Sequence, residues 1–130
     1  MKKIVFAGLT LVAMAGAAFA DPLEGTWQTK PDDNGNFGYI QVAPCGDKFC
    51  GVLTQSFGPD GKPMASDNIG KQIIWNMVAQ GNGNYGNGKI WAPDRNKTYD
   101  SKLHLEGNTL SVSGCVFFIC RDGGTWTRVN

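Results

Sequence analysis

From Leu23 to Asn130 the chain shows no helical period; short alternating runs of apolar and polar residues are cut apart by turn residues. Leu23 to Thr29 reads as a first strand, ended by the cluster Pro31-Asp32-Asp33-Asn34-Gly35-Asn36. Phe37 to Ala43 follows, with Phe37, Tyr39 and Gln41 alternating against Gly38, Ile40 and Val42. Pro44 ends it, Gly46-Asp47-Lys48-Phe49 turns the chain, and Cys50 to Ser56 is the third run. The longest irregular stretch is Phe57 to Gly70, broken by Gly58-Pro59-Asp60-Gly61 and Pro63; it reads equally as a binding loop or a plain covering flap. Gly70 to Ala79 is largely apolar on both faces, Ile73, Trp75 and Met77 against Ile74, Asn76 and Val78. Gly81 to Gly88 reads as a Gly/Asn turn region, Lys89 to Ala92 as a fifth strand and Pro93-Asp94-Arg95-Asn96 as a turn. The clearest alternation is Thr98 to Leu105, where Tyr99, Ser101, Leu103 and Leu105 oppose Asp100, Lys102 and His104. Glu106-Gly107-Asn108 makes a hairpin, Leu110, Val112 and Gly114 continue the sheet, and Thr125 to Val129 closes it.

About eight short strands joined mostly by tight turns predict an all-β fold, an antiparallel sandwich or barrel. Sequential neighbours usually pair, so a small up-and-down barrel is the simplest topology. The two ends of the chain fit such closure. Gly25-Thr26-Trp27 lies on the first strand, and Thr125-Trp126-Thr127-Arg128 echoes it on the last. An eight-stranded barrel has an interior just large enough for side chains or one small ligand.

Residues 1–20 read as a cleaved signal peptide and residues 21–130 as one barrel domain. Met1-Lys2-Lys3 is a basic start, Ile4 to Ala18 an apolar run, and Ala18-Phe19-Ala20 the small-x-small pattern cut after Ala20. The expected location is the periplasm or outside the cell, with no membrane insertion once the leader is gone. Twelve Lys and Arg face eleven Asp and Glu, and the leader takes Lys2 and Lys3 with it. So even a balance offers no electrostatic case for nucleic acid or anionic lipid.

The four cysteines form two Cys-x4-Cys pairs, Cys45/Cys50 and Cys115/Cys120. In a small exported domain they read as two disulfides rather than a zinc site. Three pairings are possible, and the repeated spacing favours the two local ones. One point stays open: if Cys115-Val116-Phe117-Phe118-Ile119-Cys120 were a straight strand, its cysteines would face opposite ways and could not bridge. If the bridge is local, four apolar residues form a capped loop fit for a ligand portal or partner contact.

Motifs for chemistry fail in their context. Gly81-x-Gly83-x-x-Gly86 and Gly83-x4-Gly88-Lys89 resemble nucleotide loops, but both mechanisms need a helix to follow, and Ile90-Trp91 begins a strand. Asp32-Asp33-Asn34-Gly35-Asn36 lacks the later carboxylate of a calcium loop. His104 is the only histidine, placed to face solvent, so no multi-histidine metal site exists. No acid, base and nucleophile assemble, and neither enzyme activity nor a cofactor is expected. The aromatic residues are more suggestive: Trp75, Tyr85, Trp91 and Tyr99 cluster in sequence and could line a cavity mouth with Phe117 and Phe118.

Gly88-Lys89-Ile90-Trp91-Ala92-Pro93-Asp94, Lys97-Thr98-Tyr99, Pro44-Cys45-Gly46-Asp47-Lys48-Phe49-Cys50-Gly51 and Thr125-Trp126-Thr127-Arg128-Val129 together resemble the exported bacterial domain-of-unknown-function family 2147. The resemblance spans nearly all of the mature chain and departs in the long loop from Asp60 to Asn68. It implies a small lipocalin-like barrel without assigned activity. The Gly-Thr-Trp is also similar to the lipocalin-type pattern, which implies that Trp27 packs beneath Arg128 as a structural clasp. The expected function is binding of a small apolar or amphipathic molecule. The alternative is an envelope protein-interaction module, such as an inhibitor or accessory factor, acting through its disulfide-capped loops.

Overall fold

The computed structural model describes residues 20–130, so the predicted leader lies outside the described residues except for Ala20. Its strands, in chain order, are β1 (Gly25–Gln28), β2 (Phe37–Cys45), β3 (Lys48–Phe57), β4 (Pro63–Met64), β5 (Gln72–Gly81), β6 (Asn84–Ala92), β7 (Lys97–Glu106), β8 (Thr109–Val116) and β9 (Ile119–Arg128). They pair in the order β2-β1-β9-β8-β7-β6-β5-β3-β4, and a further β2–β3 pairing closes the ring. The result is an eight-stranded antiparallel barrel, with β4 a two-residue addition to the edge of β3. Alternating strand direction puts residues 29–36, 58–71, 93–96 and 117–118 at one end. The other end holds residues 21–24, three tight turns and the C-terminus.

The closed end explains the pairing of the two chain termini. Arg128 stands opposite Trp27 in the β1–β9 ladder, with its guanidinium carbon 4.3 Å from the indole centroid. Trp27 is fully buried and its Nε1 donates to the Leu23 carbonyl at 2.9 Å. Arg128 Nη1 donates to the Glu24 carbonyl at 3.0 Å, Nη2 to the Pro22 carbonyl, and Nε to Asn108 Oδ1 at 3.1 Å. The guanidinium thus ties the entering chain and the β7–β8 turn to the last strand, with a cation–π contact beneath it. Gly25 sits at φ +134°, and a Cβ there would collide with the Asn130 carbonyl and the Arg128 guanidinium. Only glycine fits that step of the Gly-x-Trp.

Tyr85 belongs to the same end. It is 4% exposed, and its hydroxyl donates to Asp21 Oδ1 at 2.5 Å. Burial, and then the Asp21 carboxylate, raise its pKa above the ordinary tyrosine range. Because the folded value exceeds the unfolded one, Tyr85 contributes stability that is complete below about pH 10 and lost as pH climbs through the folded value. Tyr85→Phe should therefore flatten the alkaline limb of the stability curve, measured by urea denaturation across that range. An unchanged limb would show that Tyr85 does not report the closed end.

Both disulfides are local. Cys45–Cys50 (Cα–Cα 5.8 Å) pins the β2–β3 turn at the closed end, and Cys115–Cys120 (Cα–Cα 4.0 Å) pins the β8–β9 turn at the open end. The straight-strand alternative for residues 115–120 is excluded. The chain reverses at Phe117-Phe118, with Val116 opposite Ile119 and Cys115 opposite Cys120.

Two sequence expectations need correction. The turn in Gly81 to Gly88 is only Asn82-Gly83, both at positive φ (57° and 81°), as a two-residue type I′ hairpin requires. Gly81 ends β5 and Asn84 to Gly88 belong to β6, where Gly88 leaves room for Met77, whose sulfur would lie 2.6 Å from a Cβ. Gly70 to Ala79 does not alternate strictly. Asn76 has φ 58°, and the register shifts beside Gly51, so Ile73, Ile74 and Met77 are all buried while Trp75 is half-exposed.

Candidate functional site

The core fills the closed end but not the open one. Leu23, Trp27, Met77, Tyr85, Leu103 and Leu110 belong to the buried cluster and do not line the cavity above it. That cavity measures about 810 Å³ and is reached from the end formed by residues 29–36, 58–71, 93–96 and 117–118. Its wall is apolar: Ile40 of β2, Leu53 of β3, Ile73 of β5, Ile90 of β6, Val112 of β8 and Trp126 of β9. Trp91 and Tyr99 stand higher; Gly114 falls where an inward side chain would occupy the space, whereas Gly38 makes room for the Leu53 side chain, which would lie 2.6 Å from a Cβ there. Trp91 is anchored, its Nε1 donating to Asn96 Oδ1 at 3.1 Å while the Lys71 ammonium lies 5.4 Å from its ring.

The rim is charged. Lys30, Arg95 and Arg121 face Asp32, Asp33, Asp94 and Asp122 around the mouth. Two of these carboxylates are committed to turns: Asp32 accepts the Asn34 and Asn36 amides at 2.9 Å each, and Asp122 accepts the Gly124 amide at 2.8 Å. Among the described residues Lys89–Asp100 is an ion pair and His104 lies 3.8 Å from Glu106, neither at the mouth. The exposed Arg95 guanidinium is charged at any ordinary pH, and the Tyr99 side chain first, then Asp94 and Asp33, raise its pKa further. The mouth therefore sets three cations and four carboxylates above an apolar cup, none of them within ion-pair distance of another among the described residues.

The structure divides the residues expected at the site. Trp91, Tyr99 and Phe117 line the cavity. Trp75, Tyr85 and Phe118 do not, and their assignment to the mouth is corrected. Trp75 is half-exposed on β5, where the shift at Asn76 breaks the inward alternation. Tyr85 is buried at the far end, edge-on to Phe49 with ring centroids 6.0 Å apart. Phe118 is fully exposed at the hairpin tip. Nearness in sequence was a poor guide because neighbouring strands run in opposite directions. Ile40, Leu53, Val112 and Trp126 were missed as lining residues. The Gly38-Ile40-Val42 and Leu110-Val112-Gly114 alternations mark them as inward-facing but cannot show that the space beside them is empty.

The long loop is not a structureless connection. Met64 and Pro63 of β4 pair with Ser56 and Phe57, and Met64, Ser66 and Asn68 reach the mouth. His104 faces outward, hydrogen-bonded to Asn84 through Nδ1 at 2.7 Å and 3.8 Å from Glu106 through Nε2. Among the described residues no group of three or more His, Cys, Asp or Glu side chains is placed to hold a metal ion.

A family model described as an uncharacterized protein conserved in bacteria (DUF2147) matches residues 25–128. No curated protein matches the chain. Among solved structures, protein HP1028 from Helicobacter pylori, described as belonging to the lipocalin family, is similar over 83% of each chain, with a TM-score of 0.66 and 17% identity. At that identity the likeness speaks for the fold alone.

Proposed function

This chain belongs to the DUF2147 family of bacterial proteins, and from its lipocalin-like barrel we propose a non-catalytic periplasmic protein that binds a small apolar or amphipathic molecule. The observation that carries this reading is the open cavity of about 810 Å³ with an apolar wall. Its size falls in the range of small-molecule sites, and an apolar body placed there leaves water for the Ile40, Val112 and Trp126 surfaces. Lys30, Arg95 and Arg121 would face the polar end of such a ligand at the rim. Export fits the two disulfides, which persist in oxidising compartments. Cleavage after Ala20 would free the α-amino group of Asp21, whose nitrogen lies 3.0 Å from Glu24 Oε2, so the new charge would find a partner.

Native mass spectrometry of the protein purified from its host periplasm tests these points together. The expected spectrum shows a chain beginning at Asp21 with a small molecule attached, released on denaturation. A clean apo mass, joined by failure of an apolar fluorophore such as anilinonaphthalene sulfonate to bind, would reject the binding reading.

A further inference from the structure

The hairpin Val116-Phe117-Phe118-Ile119 is built at odds with the rest of the surface. Phe118 is 100% exposed and Phe117 87% exposed, with Val116 and Ile119 also outside the core. Phe117 adopts φ 57°, a left-handed conformation that glycine or asparagine takes at little cost and a bulky residue does not. Neither burial nor turn geometry accounts for an aromatic there. The Cys115–Cys120 bridge spans the base of the hairpin and holds the two rings out from the barrel end. Strain retained at an exposed position points to use of the side chain that bears it.

We infer that this hairpin is a membrane-docking element that seats the cavity mouth on a lipid bilayer. The occupant follows from size and position. The four apolar side chains offer roughly 400–600 Å², below the ~800 Å² that each partner buries in a stable protein interface. A bilayer sets no such requirement, because a short apolar projection sinks into the headgroup boundary without a complementary surface. Phe117 and Ile119 also line the cavity, so the element that enters the lipid is continuous with the opening through which an apolar molecule would pass. The seat is superficial and spans nothing. Three cations against four carboxylates at the rim give no net positive field, so apolar insertion carries the binding and anionic lipid is not required. The purpose of docking, ligand exchange without crossing water, rests on the proposed cavity function; the docking itself does not.

The test is flotation of the mature protein with pure phosphatidylcholine and pure phosphatidylglycerol vesicles, comparing the parent with Phe117→Asn/Phe118→Ser. Asparagine tolerates the left-handed position, so the variant should fold as well as the parent, checked by its melting curve. The parent should partition onto both vesicles alike, and the variant should lose at least about tenfold. Anilinonaphthalene sulfonate binding in solution, compared between the parent and Gly114→Leu, whose leucine enters the cavity and leaves the hairpin residues unchanged, reads the cavity separately. If the fluorophore fails to bind while hairpin-dependent flotation persists, the cavity reading falls and docking stands. No flotation of the parent, equal flotation of both proteins, or binding confined to phosphatidylglycerol would overturn the inference. So would a hairpin-dependent dimer in size-exclusion chromatography without flotation, which would assign the element to a second copy.

Discussion

Trp27→Ala is expected to cost the barrel about 3–5 kcal/mol, the range for truncating a buried large aromatic residue. Three losses coincide at this side chain. A fully buried indole leaves a void at the floor, the Leu23 carbonyl loses its 2.9 Å donor, and the Arg128 guanidinium loses the ring beneath it. Domains of this size are stable by only about 5–15 kcal/mol, so the change removes a large part of the total. At roughly 4–8 °C per kcal/mol the melting temperature should fall by about 12–40 °C. Arg128→Ala should cost less, about 2–3 kcal/mol. Its guanidinium is partly exposed, and water can replace some of its contacts with Glu24, Pro22 and Asn108. Neither residue lines the cavity, so ligand affinity of the folded fraction should stay within a few-fold of the parent. Thermal and urea denaturation measure the first effect. A Trp27→Ala protein that melts within a few degrees of the parent would end the clasp interpretation.

The second large effect is expected at Gly114→Leu, which should abolish ligand binding while leaving the fold intact. Gly114 sits inward on β8, opposite Ser101, and its missing side chain is part of the empty volume. A Cβ there would meet the Tyr99 Cβ at 3.5 Å, ordinary contact. Its φ is not among the positive ones, so leucine is tolerated by the backbone and preferred to glycine in a strand. The leucine side chain then projects into the cup between Tyr99 and Val112. Binding should weaken by more than about tenfold, while the melting temperature holds or rises as the void fills. Fluorophore titration beside a melting curve separates the two. Retained affinity in a stable Gly114→Leu protein would place the ligand elsewhere.

Much of this architecture is legible in the residues because it depends on short-range rules. Period-two alternation in Phe37 to Val42 and Thr98 to Leu105 sets which residues face inward. Equal Cys-x4-Cys spacing limits the bridges, and the repeated Trp motifs at the two ends mark strands that must meet. Errors arose where one residue changes the parity. Asn76, at positive φ, shifts β5 so that Trp75 leaves the inward set, and Asn87, at φ 60° within β6, accompanies a register shift between Tyr85 and Gly88. A turn-rich composition in Gly81 to Gly88 hid a strand whose glycines exist for close packing against Met77 and Gln80.

Alternation and turn residues were thus enough to point to about eight short antiparallel strands in a sandwich or barrel, and the resemblance to the lipocalin-type pattern supplied the Trp27–Arg128 clasp, because each signal involves only a few neighbouring residues or the two chain ends. The cavity is a different kind of quantity. It is the difference between the volume the ring encloses and the volume its inward side chains fill, and it sums contributions from Ile40, Leu53, Ile73, Ile90, Val112 and Trp126 on six strands. Only their placement around one axis shows that the closed end is packed while Gly114 helps leave the other end open. The same holds for the hairpin: the sequence shows four apolar residues between two cysteines, and the closed barrel alone puts Phe117 at the cavity mouth and Phe118 wholly in solvent.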